Sequence, residues 1–490
     1  MKRINKTDII IFAIIFIITC IIFIPFLQGH YATDTYNIAN IGYKEYAIEW
    51  SLKDGRIFMC IIGLIASKIN MPIKLYVFIT LFLALVISNI SVIILSKIIK
   101  KYKEPKKNIQ KIIVIVISYI TIFNFMYLED MYFVESIVMA SSILLFMISA
   151  YILTEKNKQY ILKSLILNII GIMCYQGTIG MFFSFTILFT ILKNKNNVKQ
   201  IIIDLIKCGV IALVAVLLNI IAVKIIGNIL KIKQTRLSKI SKIFSNIEGI
   251  IATLPTILQK TCNLFPKNAF IIFLDIITII VIIYQIKDIK KANNLIYKYV
   301  TIMVIAILGS CVTYLLSPTS FFTGRLRNPI GSLIGMIFIF LYVETNLFEK
   351  KKILSIITYL TLISYIALNF GNYENIMFQH KKINELEKLQ VSEIDNKINE
   401  YEKNTGIKVT KIVKVPRKKT SSQNKGANDI TRNALKTRWA VDGVINFYTE
   451  RNLENIDATE EKIKYYFKNY DYEREYKCID DTLYINVYVF

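Results

Sequence analysis

Gln28 to Arg56, QGHYATDTYNIANIGYKEYAIEWSLKDGR, is the stretch on which the fold turns. It is the first polar segment after a long apolar run, and it ends where a second apolar run begins. It gathers Asp34, Glu45, Glu49, Asp54 and Arg56 among Tyr31, Tyr36, Tyr43, Tyr46 and Trp50. A mere connector between two membrane helices would be short and bland. This stretch reads as an active-site loop between spans.

The surrounding composition supports a membrane setting. The 490 residues are 54% hydrophobic and 19% charged, with a mean hydropathy of +0.48, too apolar for a soluble chain of this size. The net charge of +25 does not indicate nucleic acid, because the lysines cluster in short loops between apolar segments. There they orient helices and meet anionic lipid headgroups. Seven cysteines are scattered without a CxxC pair, which argues against a disulfide framework or a zinc site.

Lys2, Arg3 and Lys6 precede the first span, Ile9–Phe26, and predict a cytoplasmic N-terminus; that span lacks a small-residue cleavage site and reads as an uncleaved anchor. Ile57–Ile69 has 13 residues where about 20 are needed, so it is expected to be re-entrant or to lie in the interface. Basic loops at Lys100–Lys111, Lys156–Lys158, Lys193–Lys199, Lys287–Lys291 and Lys350–Lys352 mark the cytoplasmic side. Alternation then gives about 11 crossings over residues 1–370, with Gln28–Arg56, the turn Met126–Phe133 and the loop Ser317–Asn328 outside. A hairpin with its tip at Tyr175-Gln176-Gly177 joins two short arms. Gly227–Asn268 is a basic loop that alternation also puts outside, with helical stretches over Leu237–Ile250 and Ile251–Leu264 suited to the membrane surface.

From Gly371 the composition becomes that of a soluble segment. Residues 371–490 are expected to form a small extracytoplasmic α/β domain: helices over Ile383–Tyr401, Thr431–Arg451 and Glu460–Asn469, and strands over Lys408–Val415 and Cys478–Phe490. It carries no evident catalytic constellation, and its expected role is binding or packing over the membrane site.

The ionisable residues outside the soluble segment converge. Asp34, Glu45, Glu49 and Asp54 lie in the first loop, Glu129 and Asp130 in the second, Glu135 just inside the next span, and Arg325 with Arg327 in a third loop. Such groups at a membrane boundary are costly unless paired or facing a cavity. A carboxylate there can take a proton from an acceptor hydroxyl, and arginine can hold a phosphate in bidentate fashion. Together these fit sugar transfer from a lipid phosphate. Trp50 and Tyr36 are read either as an aromatic belt or as stacking platforms for a sugar. Gln176 is read as a sugar-hydroxyl ligand or as part of a plain helix-hairpin turn. His30, taken alone, is incidental.

ATDTY followed by W-x-x-x-D-G-R (Trp50–Arg56), LED with MYFVES (Leu128–Ser136), YQGTIG (Tyr175–Gly180) and G-R-x-R-N-P (Gly324–Pro329) occur in an order that resembles the bacterial membrane glucosyltransferases of the serotype-converting (Gtr) type. The resemblance spans roughly residues 1–370. It implies a polytopic C-type glycosyltransferase fold, a polyprenyl phosphate-linked sugar donor, usually glucose, and a cell-surface polysaccharide or related glycopolymer as acceptor. It implies Asp34 as catalytic base, Glu129 and Asp130 in substrate binding, and Arg56, Arg325 and Arg327 on the phosphate. The family often shows paired acids where this chain has Asp34-Thr35. A divalent metal stays open, since acids are present without a ligand motif. A transporter or flippase of lipid-linked saccharide would want midplane charges and repeated halves, neither of which is seen; a polysaccharide polymerase would lengthen chains instead of branching them.

Overall fold

The computed structural model describes residues 6–194, 197–231, 242–287, 294–315, 323–349, 352–417, 428–449, 451–456 and 476–488. The expected helix Glu460–Asn469 therefore lies outside the described residues, as do most of Arg417–Asn428 and parts of Gly227–Asn268 and Ser317–Asn328.

The chain is mostly helical. Among the described residues, seven helices are long and apolar enough to cross a membrane: Ile73–Tyr102, Ser136–Glu155, Tyr160–Thr178, Val198–Leu230, Ala269–Lys287, Leu295–Leu315 and Ile353–Thr405. Five shorter apolar helices accompany them, at Asp8–Ile22, Ile57–Lys68, Asn108–Ile122, Gly180–Asn194 and Asn328–Glu344. Apolar helices of this kind make contact through small residues and buried polar links. Gly180 is one such residue: a side chain there would strike the Gly309 carbonyl of the neighbouring helix. Thr19 bonds Asn89 at 3.1 Å and Tyr119 at 2.9 Å, Asn168 donates to Ser149 at 2.6 Å, and Lys298 pairs with Glu344 at 2.6 Å.

The span expected over Ile353–Phe370 and the separate helix expected over Ile383–Tyr401 are one 53-residue helix, Ile353–Thr405. At 1.5 Å per residue it is about 80 Å long. Its first half is apolar. Its second half is a mast to which the polar segments are tied. Asn384 accepts from Tyr31 N (2.9 Å) and donates to Tyr31 O (3.1 Å); Glu387 accepts from the Tyr36 hydroxyl at 3.0 Å and from Ala434 N at 2.6 Å. His380 Nδ1 lies 2.8 Å from the Ile430 carbonyl.

Beyond the mast, β1 (Lys411–Arg417), β2 (Glu454–Ile456), β3 (Tyr476–Ile479) and β4 (Thr482–Tyr488) form one sheet in the order β2-β1-β4-β3. β1 runs parallel to β2 and β4, and β3 turns back on β4 through Asp480 in the left-handed region. Ile412, Leu483, Ile485 and Val487 pack on Val391, Ile394 and Ile398 of the mast. The helix expected over Thr431–Arg451 is a short 3-10 turn at Ala434–Lys436 and a helix at Val441–Thr449. Tyr36 is fully buried in this same cluster, so the first loop and the C-terminal segment share a core. The surface helix expected in two pieces is, among the described residues, the single helix Ile243–Lys260, with Phe244 and Ile251 exposed.

Candidate active site

The first loop folds on itself through two glycines. Helix Thr33–Ile41 ends at Gly42 (φ +85°), the chain re-enters helix at Tyr43–Tyr46 and widens into a π-turn over Ala47–Leu52, and Gly55 (φ +82°) turns it into Arg56. Both glycines occupy a region L side chains avoid, and a π-turn is a common device for re-aiming side chains at a site. Asp34 stands in the first turn of Thr33–Ile41, where a carboxylate meets the positive end of the helix dipole. Thr35 turns its hydroxyl back to accept from Ala32 N at 3.1 Å. The position after Asp34 is thus a capping residue here and not a second acid.

Asp34 and Glu135 are joined through one phenol. The Tyr46 hydroxyl lies 3.5 Å from Asp34 and 3.2 Å from Glu135, and its ring stacks on Trp50 at 6.2 Å. Arg56 donates to Glu135 at 2.8 Å, approaches Asp54 at 3.5 Å and lies over the Tyr175 ring at 5.1 Å. Gln176 holds this turn from the hairpin tip, donating to the Asp54 carbonyl at 2.6 Å. The Arg56 Nε and Gln176 Oε1 atoms are buried without a hydrogen-bond partner among the described residues.

A second cluster adjoins the first. Glu129 accepts from Arg325 N (3.0 Å) and from Asp429 N (2.8 Å). The Arg325 guanidinium pairs with Asp429, lies 3.7 Å from Glu129 and sits over the Phe133 ring at 4.3 Å. Arg432 closes on Asp429 at 2.7 Å. Asp130 accepts from Asn328 at 2.6 Å. Arg327, expected beside Arg325, is instead fully buried, donating to the Ser310 carbonyl with its guanidinium 5.9 Å from the Tyr314 ring. Tyr36 is likewise away from both clusters, on Glu387 and on Tyr448 at 3.0 Å.

Burial separates the acids into two kinds. Glu129, Asp130 and Glu135 are buried, whereas Asp34 keeps part of its surface open, as does the basic Arg325. Burial raises the Asp34 carboxyl to about 6, helped by the Glu135 charge and opposed by Arg325 and Arg56. Burial likewise raises Glu129 to about 7, together with the Asp429 charge. At Asp429 burial is overcome by Arg432 and Arg325, and its carboxyl lies below the ordinary value. The arrangement offers a partly open carboxylate able to accept a proton near neutrality, and the charges of Arg56 and Arg325 act on it; guanidinium groups of this kind suit an anion. Among the described residues no group of three or more His, Cys, Asp or Glu side chains is placed to hold a metal ion.

Four participants have no role assigned from the sequence. Glu135 and Tyr46 are already visible there, as an acid just inside a span and an aromatic in an acidic loop. Asp429 and Arg432 lie some 300 residues from Glu129 in the chain, and nothing in the local sequence around them points to the site.

The profile of the glucosyl transferase GtrII family matches residues 23–326. That span holds Asp34, Arg56, Glu129, Glu135, Gln176 and Arg325, and leaves out Arg327, Asp429 and Arg432. No curated protein and no solved structure gives a significant match. With more than half of its length matched, the chain belongs to the glucosyl transferase GtrII family.

Proposed function

We propose that this glucosyltransferase family member moves a sugar, glucose, from a polyprenyl phosphate donor to a cell-surface glycopolymer at the outer boundary of the cell membrane. The observation that carries the proposal is the half-buried Asp34, joined through the Tyr46 hydroxyl to the Glu135–Arg56 pair. Asp34 takes the proton of the acceptor hydroxyl as that oxygen bonds to the sugar's anomeric carbon. The bond from that carbon to the phosphate oxygen breaks, and the electron pair leaves with the phosphate, whose charge Arg56 and Arg325 meet. Glu135 and Glu129 hold those arginines in place. The unpartnered Arg56 Nε and Gln176 Oε1 are left for substrate, and Trp50 stacked on Tyr46 offers a face to the sugar.

In this reading the seven long helices, with the shorter ones other than Ile57–Lys68, make the eleven crossings, and Ile57–Lys68 stays re-entrant. The N-terminus is cytoplasmic, residues 1–370 form the membrane transferase, and 371–490 pack over its outer end. Tyr36 and Arg327 act in this scheme as structural anchors. The test is the composition of the surface polymer from cells with and without the gene. Loss of glucose branches at unchanged chain length supports transfer; shortened chains would favour a polymerase, and unchanged polymer with trapped lipid-linked saccharide a flippase.

A further inference from the structure

A cavity of about 430 Å³ opens where the first loop, the mast and helix Val441–Thr449 meet. That volume is within the ~300–1,000 Å³ range of ligand sites. One wall is aromatic: Tyr31 packs on Phe447 at 5.1 Å, Phe447 on Tyr448 at 5.1 Å, and all three rings stay partly exposed. The lining also has Lys74, Lys381 and Lys388, with Glu385 the one acid among its described residues. Lys381 reaches the Gln28 amide at 3.4 Å, while Lys74 and Lys388 have no ion-pair partner among the described residues. The groove is fixed in place, because Asn384 binds both backbone polar groups of Tyr31, three residues before Asp34.

We propose that this groove binds the acceptor as an acidic glycan. Aromatic faces take the apolar C–H faces of sugar rings, Glu385 offers a hydroxyl partner, and the lysines meet carboxylate or phosphate groups along the polymer as point charges. An anionic lipid headgroup would meet the same cations, and the vesicle arm of the test separates it from a glycan. Lys381, Lys388, Phe447 and Tyr448 all lie beyond the family-matched span, so the C-terminal segment adds acceptor choice to a common transfer site. The proposal rests on the glycosyl-transfer reading for the word acceptor, but its test measures binding alone.

The full chain in detergent is titrated with a galacturonic acid tetramer, with maltotetraose, and with vesicles containing an anionic phospholipid. The wild type is expected to bind the acidic tetramer more tightly than maltotetraose, in a salt-dependent way. K381Q/K388Q is expected to weaken the acidic tetramer roughly tenfold with an unchanged melting temperature; K388Q alone gives a smaller loss and serves if the double variant melts early. Equal binding of the acidic tetramer by wild type and both variants overturns the proposal, as does a loss confined to anionic vesicles. Binding as expected in a chain that transfers no sugar would overturn the transfer reading and leave the groove an acidic-glycan site.

Discussion

Replacing Glu135 by Gln removes the charge that, after burial, does most to raise Asp34. The Tyr46 hydroxyl touches both carboxylates, so their nearest oxygens are at most about 7 Å apart, and at an effective dielectric of about 20 the repulsion is about 2.4 kcal/mol, or some 1.7 pKa units. Asp34 is partly open to solvent, which screens this to about 1 unit. Arg56 keeps an acceptor in the Gln amide oxygen but loses the opposing charge of Glu135, so its own charge pulls in the same direction. A base must be deprotonated to act, so wild-type kcat/KM should rise with pH around about 6, and Glu135→Gln should move that limb downward by about 1 unit. The assay is transfer of labelled sugar in proteoliposomes between pH 4.5 and 8, with the melting temperature followed in parallel. A limb that stays put or moves upward would refute the electrostatic link between Glu135 and Asp34.

Three other outcomes are expected. Asp429→Ala leaves Arg325 and Arg432 without their shared carboxylate, which should cost about 3–5 kcal/mol and show as a lowered melting temperature; an unchanged one contradicts the pairing. Tyr36→Phe keeps the ring packing but gives up the bonds to Glu387 and Tyr448. Stability should fall by about 1–3 kcal/mol with transfer per folded molecule retained, and a selective loss of transfer would return Tyr36 to the substrate. Gly443→Val forces a side chain against the Tyr36 carbonyl, so limited proteolysis should release the C-terminal segment from the membrane part faster than in wild type; equal cleavage would contradict the shared core.

Much of the helical architecture was legible because long apolar runs broken by lysine-rich loops leave few alternatives. The change in composition at 370/371 falls inside one unbroken helix, Ile353–Thr405, since a helix satisfies its own backbone hydrogen bonds whether its side chains are apolar or polar. Gathering Asp34, Arg56, Glu129 and Arg325 as candidates needed only the observation that charge collects at helix ends. Two residues apart on a helix, Asp34 and Tyr36 point about 200° apart, so one meets the Tyr46 hydroxyl and the other the core shared with the sheet. The roles of Asp429 and Arg432 depend on closing a loop of some 300 residues onto Glu129, and no local pattern records that. The placement of Arg327 on Ser310 depends equally on a neighbouring helix end.

The most direct measurement is transfer by Asp34→Asn in proteoliposomes loaded with polyprenyl phosphate glucose and surface glycopolymer. The amide is close in shape and cannot accept the acceptor proton as a carboxylate does. Folding and insertion equal to wild type with transfer lost by at least ~100-fold is the predicted result; transfer within a few fold of wild type would remove Asp34 as the base.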